Sequence, residues 1–234
     1  MAWTLLIDLK FLSTSKMSFM KFKLASIAVV ALLLLQSCNK DDDRTGINFN
    51  TSTSGRSSTI GRPSGTLGTL NWTSGFAHAT EIEFEAEQEN REIEFTSTAN
   101  QRIDLFTPFS SLGFVNIAPG FYKEVEFEIN FAATANNPTL ELIGTFDNTP
   151  IILRIITPIE FEAEYEDVTI RNGDNFTASF ALNLSLLTVG ITDAALRNAT
   201  RTNGDIVISS NSNVGLYNII INNLNNIDSV ELDD

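Results

Sequence analysis

The chain has 234 residues, one cysteine, one histidine and a formal charge of −14. That length suits one domain, or one and a half; a single cysteine excludes an intramolecular disulfide and a Cys-based zinc site, and a single histidine, His78, excludes a His-rich metal cluster. Residues 1–37 hold four lysines and one aspartate, so the remainder carries 11 Lys and Arg against 28 Asp and Glu, a charge of −17, which excludes a nucleic-acid partner and adhesion to an anionic lipid surface by charge.

In chain order, residues 1–19 read as an upstream extension, with Met20 the better initiator. Lys21-Phe22-Lys23 is a short basic region, and Leu24–Leu35 is mostly apolar but too short to cross a bilayer core of about 30 Å. Basic start, short apolar middle and small residues near the end predict a secretory signal peptide over 20–37.

Leu35-Gln36-Ser37-Cys38 resembles the lipobox of bacterial lipoproteins. The resemblance implies a diacylglyceryl group on the Cys38 thiol, cleavage before Cys38 and acylation of the new amino terminus. Each buried acyl CH₂ contributes about 0.8 kcal/mol, so several chains hold a domain on a membrane stably. Asn39-Lys40-Asp41-Asp42-Asp43 resembles the acidic export tag of some Gram-negative groups, with Lys40, Asp41, Asp42 and Asp43 as its charged residues. It implies a lipid-anchored protein of the outer membrane that faces the cell exterior.

Residues 38–70 are expected to be the lipidated tether. Within 44–70, 16 of 27 residues are Ser, Thr or Gly, a composition that buries too little apolar surface to offset its ordering entropy. As a coil, 39–70 averages about 30 Å end to end; an edge strand around Ile47–Phe49 is the alternative.

The folded domain is expected over 71–234. Ile82, Phe84 and Ala86 alternate with Glu81, Glu83, Glu85 and Glu87; Ile93 and Phe95 with Glu92 and Glu94; Val125, Phe127, Ile129 and Phe131 with Glu124, Glu126 and Glu128; Ile159, Phe161, Ala163 and Tyr165 with Glu160, Glu162, Glu164 and Glu166. Phe176 to Leu184 alternates likewise with smaller polar residues. Period-two alternation gives each strand one dry and one wet face, the antiparallel pattern. Turn residues fall between runs at Gln88-Glu89-Asn90, Pro119-Gly120, Asn136-Asn137-Pro138, Asp147-Asn148 and Asn172-Gly173, the last read as a tight hairpin. The apolar phase slips at Asp167-Val168, which marks a bulge or a strand end. The prediction is a mainly β antiparallel sandwich of seven to nine strands. Thr192 or Asp193 caps a short helix to Arg197, Asp205–Ser209 reads as a strand, and Tyr217, Ile220, Ile221 and Leu224 define a second helix.

Ile103-Asp104-Leu105-Phe106 followed by Ala118-Pro119-Gly120-Phe121-Tyr122-Lys123-Glu124-Val125-Glu126-Phe127 resembles a bacterial lipoprotein domain of unknown function, over residues 72–187. Its turn here carries one aromatic more than the family pattern. The resemblance implies a β-sandwich on a lipid anchor and brings no catalytic residues.

Alternate glutamates on a strand stand about 6.5–7 Å apart, a spacing open to an inverting glycosidase pair or a calcium site. Their regular recurrence on four runs reads instead as a solvated acidic face, so no catalytic residue, metal or cofactor is expected. Opposed glutamates repel, which predicts that the runs avoid pairing in register or carry counter-cations. His78 has no G-x-S-x-G serine to serve. Trp72 and Tyr122 are candidates for a sugar-stacking platform, and Asp228-Ser229-Val230 resembles a short O-glycosylation acceptor. The functional expectation is a non-enzymatic surface lipoprotein, partnered by the membrane and by a glycan or an outer-membrane protein, and acting as a glycan or nutrient accessory. The alternative is a structural or adhesive component like the fimbrillin-type sandwiches.

Overall fold

The computed structural model describes residues 45–61, 67–98, 100–224 and 230–233. The signal segment, Cys38, Lys40–Asp43, and Asp228-Ser229 lie outside the described residues. The strands are β1 (Gly46–Ser54), β2 (Ser57–Gly61), β3 (Leu67–Gln88), β4 (Arg91–Ser97), β5 (Gln101–Asp104), β6 (Ser110–Asn116), β7 (Gly120–Phe131), β8 (Leu140–Phe146), β9 (Thr149–Ile155), β10 (Ile159–Ile170), β11 (Asn175–Asn183), β12 (Arg201–Thr202), β13 (Asp205–Ile208) and β14 (Val230–Asp233). A 3₁₀ turn (Leu186–Thr188), α1 (Asp193–Arg197) and α2 (Val214–Leu224) complete them.

The smaller sheet runs β14-β11-β1-β6, and the larger runs β10-β7-β3-β8-β9-β13-β12, with β2, β4 and β5 also pairing with β3. The architecture is mainly β and consistent with a β-sandwich. The described residues hold fourteen strands, more than the seven to nine counted from alternation, partly because strands begin well before residue 71. Two pairings are parallel, β1 with β11 and β13 with β9.

Residues 46–61 are the main correction to the sequence reading. Of the expected 38–70 tether, β1 is an interior strand flanked by β11 and β6, and β2 pairs with β3. The physical reason lies in the alternation of Ile47 and Phe49, both buried, with Asn48 and Asn50. The two asparagines pair with their neighbours, Asn48 Nδ2 donating to Asn175 Oδ1 at 2.7 Å and Ser179 Oγ to Asn50 Oδ1 at 2.7 Å. Serine and threonine dominate the rest, and threonine tolerates the pleat well. Ladders on both sides of β1 offset the ordering entropy that composition alone does not meet.

β3 is 22 residues long. Its first half pairs with β8 and β2, its second with β7 and β4, and β5 meets it at Phe76–Ala79. The dry faces meet in a phenylalanine-rich core centred on Phe127, whose ring lies 5.6 Å from Phe49, 5.4 Å from Phe84 and 6.0 Å from Tyr165. Phe49 belongs to the smaller sheet and the others to the larger, so one side chain ties the layers together. Burial of each such ring contributes about 1.5–3 kcal/mol.

The Asp147-Asn148 turn is a two-residue hairpin with φ of 46° and 68°, the left-handed pair that the β8–β9 twist requires. Asn172-Gly173 is not a hairpin: β10 and β11 belong to different sheets, and this turn is the crossover between them. The slip at Asp167 is real in burial, with φ of 56° there. The strand nevertheless continues, because β7 slips at the same level and the register holds. Thr192 caps α1, its Oγ1 accepting from Ala195 N at 3.2 Å. α2 buries Leu216, Tyr217, Ile220 and Leu224, and Asn223 Nδ2 donates to the carbonyls of Leu187 and Val189.

Candidate functional site

The most concentrated chemistry on the molecule is the wet face of β10, β7, β3 and β4. Its arrangement follows from the dry face. Ile82 pairs with Ile129, Phe84 with Phe127 and Ala86 with Val125 between β3 and β7. Phe84 pairs with Phe95, and Ala86 with Ile93, between β3 and β4. Phe161, Ala163 and Tyr165 of β10 face Ile129, Phe127 and Val125. Because side chains alternate with period two, a register that matches apolar residues on one face also matches whatever occupies the other.

The glutamates therefore align. One row across the sheet reads Glu166, Glu124, Glu87, Glu92; the next reads Glu164, Glu126, Glu85, Glu94; the third reads Glu162, Glu128, Glu83 and ends at Thr96. The expectation that like-charged runs would avoid pairing in register is thus overturned. Core packing across the dry face is worth more than the repulsion between partly solvated carboxylates, which is about 0.2–1 kcal/mol per opposed pair.

The cost is visible in the carboxyl groups. Glu124 is raised above the ordinary carboxylate range chiefly by the charge of Glu164. Glu126 is raised by partial burial and then by Glu162 and Glu85. Glu128 is raised by burial, against which the amide of Asn130 donates to its carboxylate. Glu83 is raised first by a hydrogen bond with Glu81. Compensating cations are few: Lys123 Nζ lies 3.8 Å from Glu87 Oε1, both side chains half exposed.

Glu85, Glu87, Glu92, Glu124 and Glu126 line a hollow of about 110 Å³ on this face. Among the described residues no group of three or more His, Cys, Asp or Glu is placed to hold a metal ion.

The other sequence candidates scatter. Trp72 and Tyr122 are core residues, 2% and 0% exposed, so neither can stack on a sugar. Tyr122 is held by its hydroxyl, which donates to Ala118 O at 2.7 Å. Trp72 lies on the dry face because β3 keeps the phase of Leu70 through to it. His78 is buried and its Nε2 lies 2.5 Å from Asn100 Oδ1, a structural pairing. Among the described residues the exposed aromatics are instead Phe95, Phe109 and Phe121. Phe121 sits in the Pro-Gly-aromatic turn that the sequence singles out, beside the buried Tyr122. Between the sheets lies a cavity of about 20 Å³, lined among others by Thr51, Ala77, Phe131 and Phe161; it has room for roughly one water.

No described helix is long and apolar enough to cross a membrane. Compared with protein families, curated proteins and solved structures, the chain matches none.

Proposed function

We propose that this chain is a lipid-anchored protein of the outer membrane, displayed outward and working by binding rather than catalysis. The observation that carries the reading is the spacing of Leu35-Gln36-Ser37-Cys38 to a folded β domain, whose first described strand begins at Gly46, with only seven residues between it and Cys38. An acyl anchor so placed would tether a self-contained module to the bilayer. The acidic face favours a large cationic or amine-rich partner, and the burial of Trp72 and Tyr122 weighs against a stacked sugar.

The deciding experiment is palmitate labelling of cells that make the full chain or its Cys38→Ala variant. The parent incorporates label and pellets with membranes, and the variant does neither. Equal labelling of both would refute the anchor. Protease treatment of intact cells then tests display, since an outward-facing domain is removed and an inward-facing one survives.

A structural or adhesive role is the second reading, favoured by the terminal strands. β14 pairs along the outer edge of β11, and β1 fills the gap between β11 and β6. Either could be exchanged between copies. Concentration-dependent oligomers that persist on dilution would support it.

A further inference from the structure

We propose that the hollow formed where the β3–β4 turn meets the start of β7 binds a neutral sugar, with the Phe121 ring as its stacking surface. This site goes beyond the anchored reading and does not depend on it.

The local sequence places the ring. Tyr122 is 0% exposed, and its hydroxyl donates to Ala118 O at 2.7 Å. Successive strand side chains point to opposite faces, so fixing Tyr122 inward turns Phe121 outward, where it is 54% exposed. Gly120 opens the floor beside it. A Cβ at this position would stand 2.5 Å from Gln88 Nε2, so the missing side chain is what lets the Gln88 amide lie against the β7 backbone. Gln88 pairs with Arg91 across the β3–β4 turn, which brings Glu89 and Asn90 to the same place. Phe121, Lys123 and these turn residues line one hollow of about 530 Å³, inside the range of about 300–1,000 Å³ usual for small-molecule sites.

The lining selects the chemistry. An exposed aromatic ring offers an apolar plane, which fits the C–H face of a pyranose and removes both from water. Around the plane stand groups that sugar hydroxyls can use in both senses. The amides of Gln88 and Asn90 donate and accept, Arg91 and Lys123 donate, and Glu89 accepts. The charge has no single sign. Arg91 and Lys123 face Glu89 in the lining, Lys123 Nζ lies 3.8 Å from Glu87 Oε1, and the neighbouring row of the sheet carries Glu124, Glu87 and Glu92. Those carboxylates repel an anionic ligand from this end, while Arg91 and Lys123 oppose a cationic one. A hydroxyl-rich ligand without charge meets neither penalty. Trp72 and Tyr122 are closed to a sugar by burial; Phe121 is not.

The test is saturation-transfer NMR on the full chain, with methyl glucoside, methyl galactoside and methyl mannoside as neutral probes and glucuronate and glucosamine as charged ones. The expected result is transfer to at least one neutral probe, strongest at the ring C–H protons, and weaker transfer to both charged probes. Phe121→Ala should reduce the neutral signal at least about fivefold, since one central aromatic carries much of such a contact. Phe121→Trp should keep the signal, and Phe109→Ala, which removes an exposed ring outside the hollow, should leave it unchanged. Thermal midpoints of the three variants should match the parent, because both rings are exposed. Absence of transfer to every neutral probe, stronger transfer to a charged probe, or a signal that survives Phe121→Ala overturns the sugar site. Palmitate labelling reads the anchor separately, so failure of either reading leaves the other standing.

Discussion

Glu85 of β3 and Glu126 of β7 stand directly opposite one another, and on its other side Glu126 meets Glu164 of β10. A central carboxylate flanked by two others gains nothing from its charge. Glu126→Gln should therefore stabilise the protein by roughly 0.5–1 kcal/mol, seen as a higher urea midpoint at neutral pH with an unchanged m-value. A midpoint that falls would show that the row is compensated in solution.

The same rows fix the sign of the pH dependence. Carboxyls of Glu83, Glu124, Glu126 and Glu128 are raised in the folded state, so the native protein binds more protons than the unfolded chain above the ordinary carboxylate value. Stability must then decrease as pH rises through that window. Thermal melts should give a higher midpoint near pH 5 than near pH 7.5. The difference should shrink in about 1 M salt, where the screening length is about 3 Å. A midpoint that rises steadily with pH would contradict the picture.

Phe127 contacts rings from both sheets. Phe127→Ala should cost about 3–5 kcal/mol, a large part of the 5–15 kcal/mol typical of a domain. The expected outcome in urea unfolding is a large fall in midpoint, or an unfolded circular dichroism spectrum without denaturant.

Arg56 separates β1 from β2. Its Nη2 donates to Phe106 O at 3.2 Å, and its guanidinium lies 4.5 Å from the Phe106 ring centre. Limited trypsin digestion should leave Arg56 uncut while the domain is folded, whereas a flexible tether would be cut there within minutes. Phe49→Asp, which buries a charge in the smaller sheet, should abolish the cooperative melt.

Much of the larger sheet was legible because period-two alternation is a strong signal. The Asp147-Asn148 turn and the Thr192 cap of α1 stand where the sequence places them, and α2 spans the stripe of Tyr217, Ile220, Ile221 and Leu224. β1 was less legible. Ile47 and Phe49 are only two apolar beats within a Ser/Thr-rich stretch, and their partners on β11 lie about 130 residues away. The glutamate rows were visible as residues but not as an array, since register is set by apolar pairs on the hidden face. Trp72 and Tyr122 were misassigned because an aromatic beside a polar run does not declare its face until the strand's phase is fixed by its neighbours.

The parallel pairing of β1 with β11 couples the two ends of synthesis. Gly46–Ser54 is made before any other described strand, yet its partner at Asn175–Asn183 follows only after nine further strands have appeared. Until then Ile47 and Phe49 have just one hydrogen-bonded neighbour, β6, and the smaller layer stays incomplete. Contacts this remote in sequence close slowly. A nascent chain of this design carries a sticky leading segment for most of its manufacture, so holding that segment apart from other chains until its late mate emerges is a task for the cell's chaperones as much as for the fold.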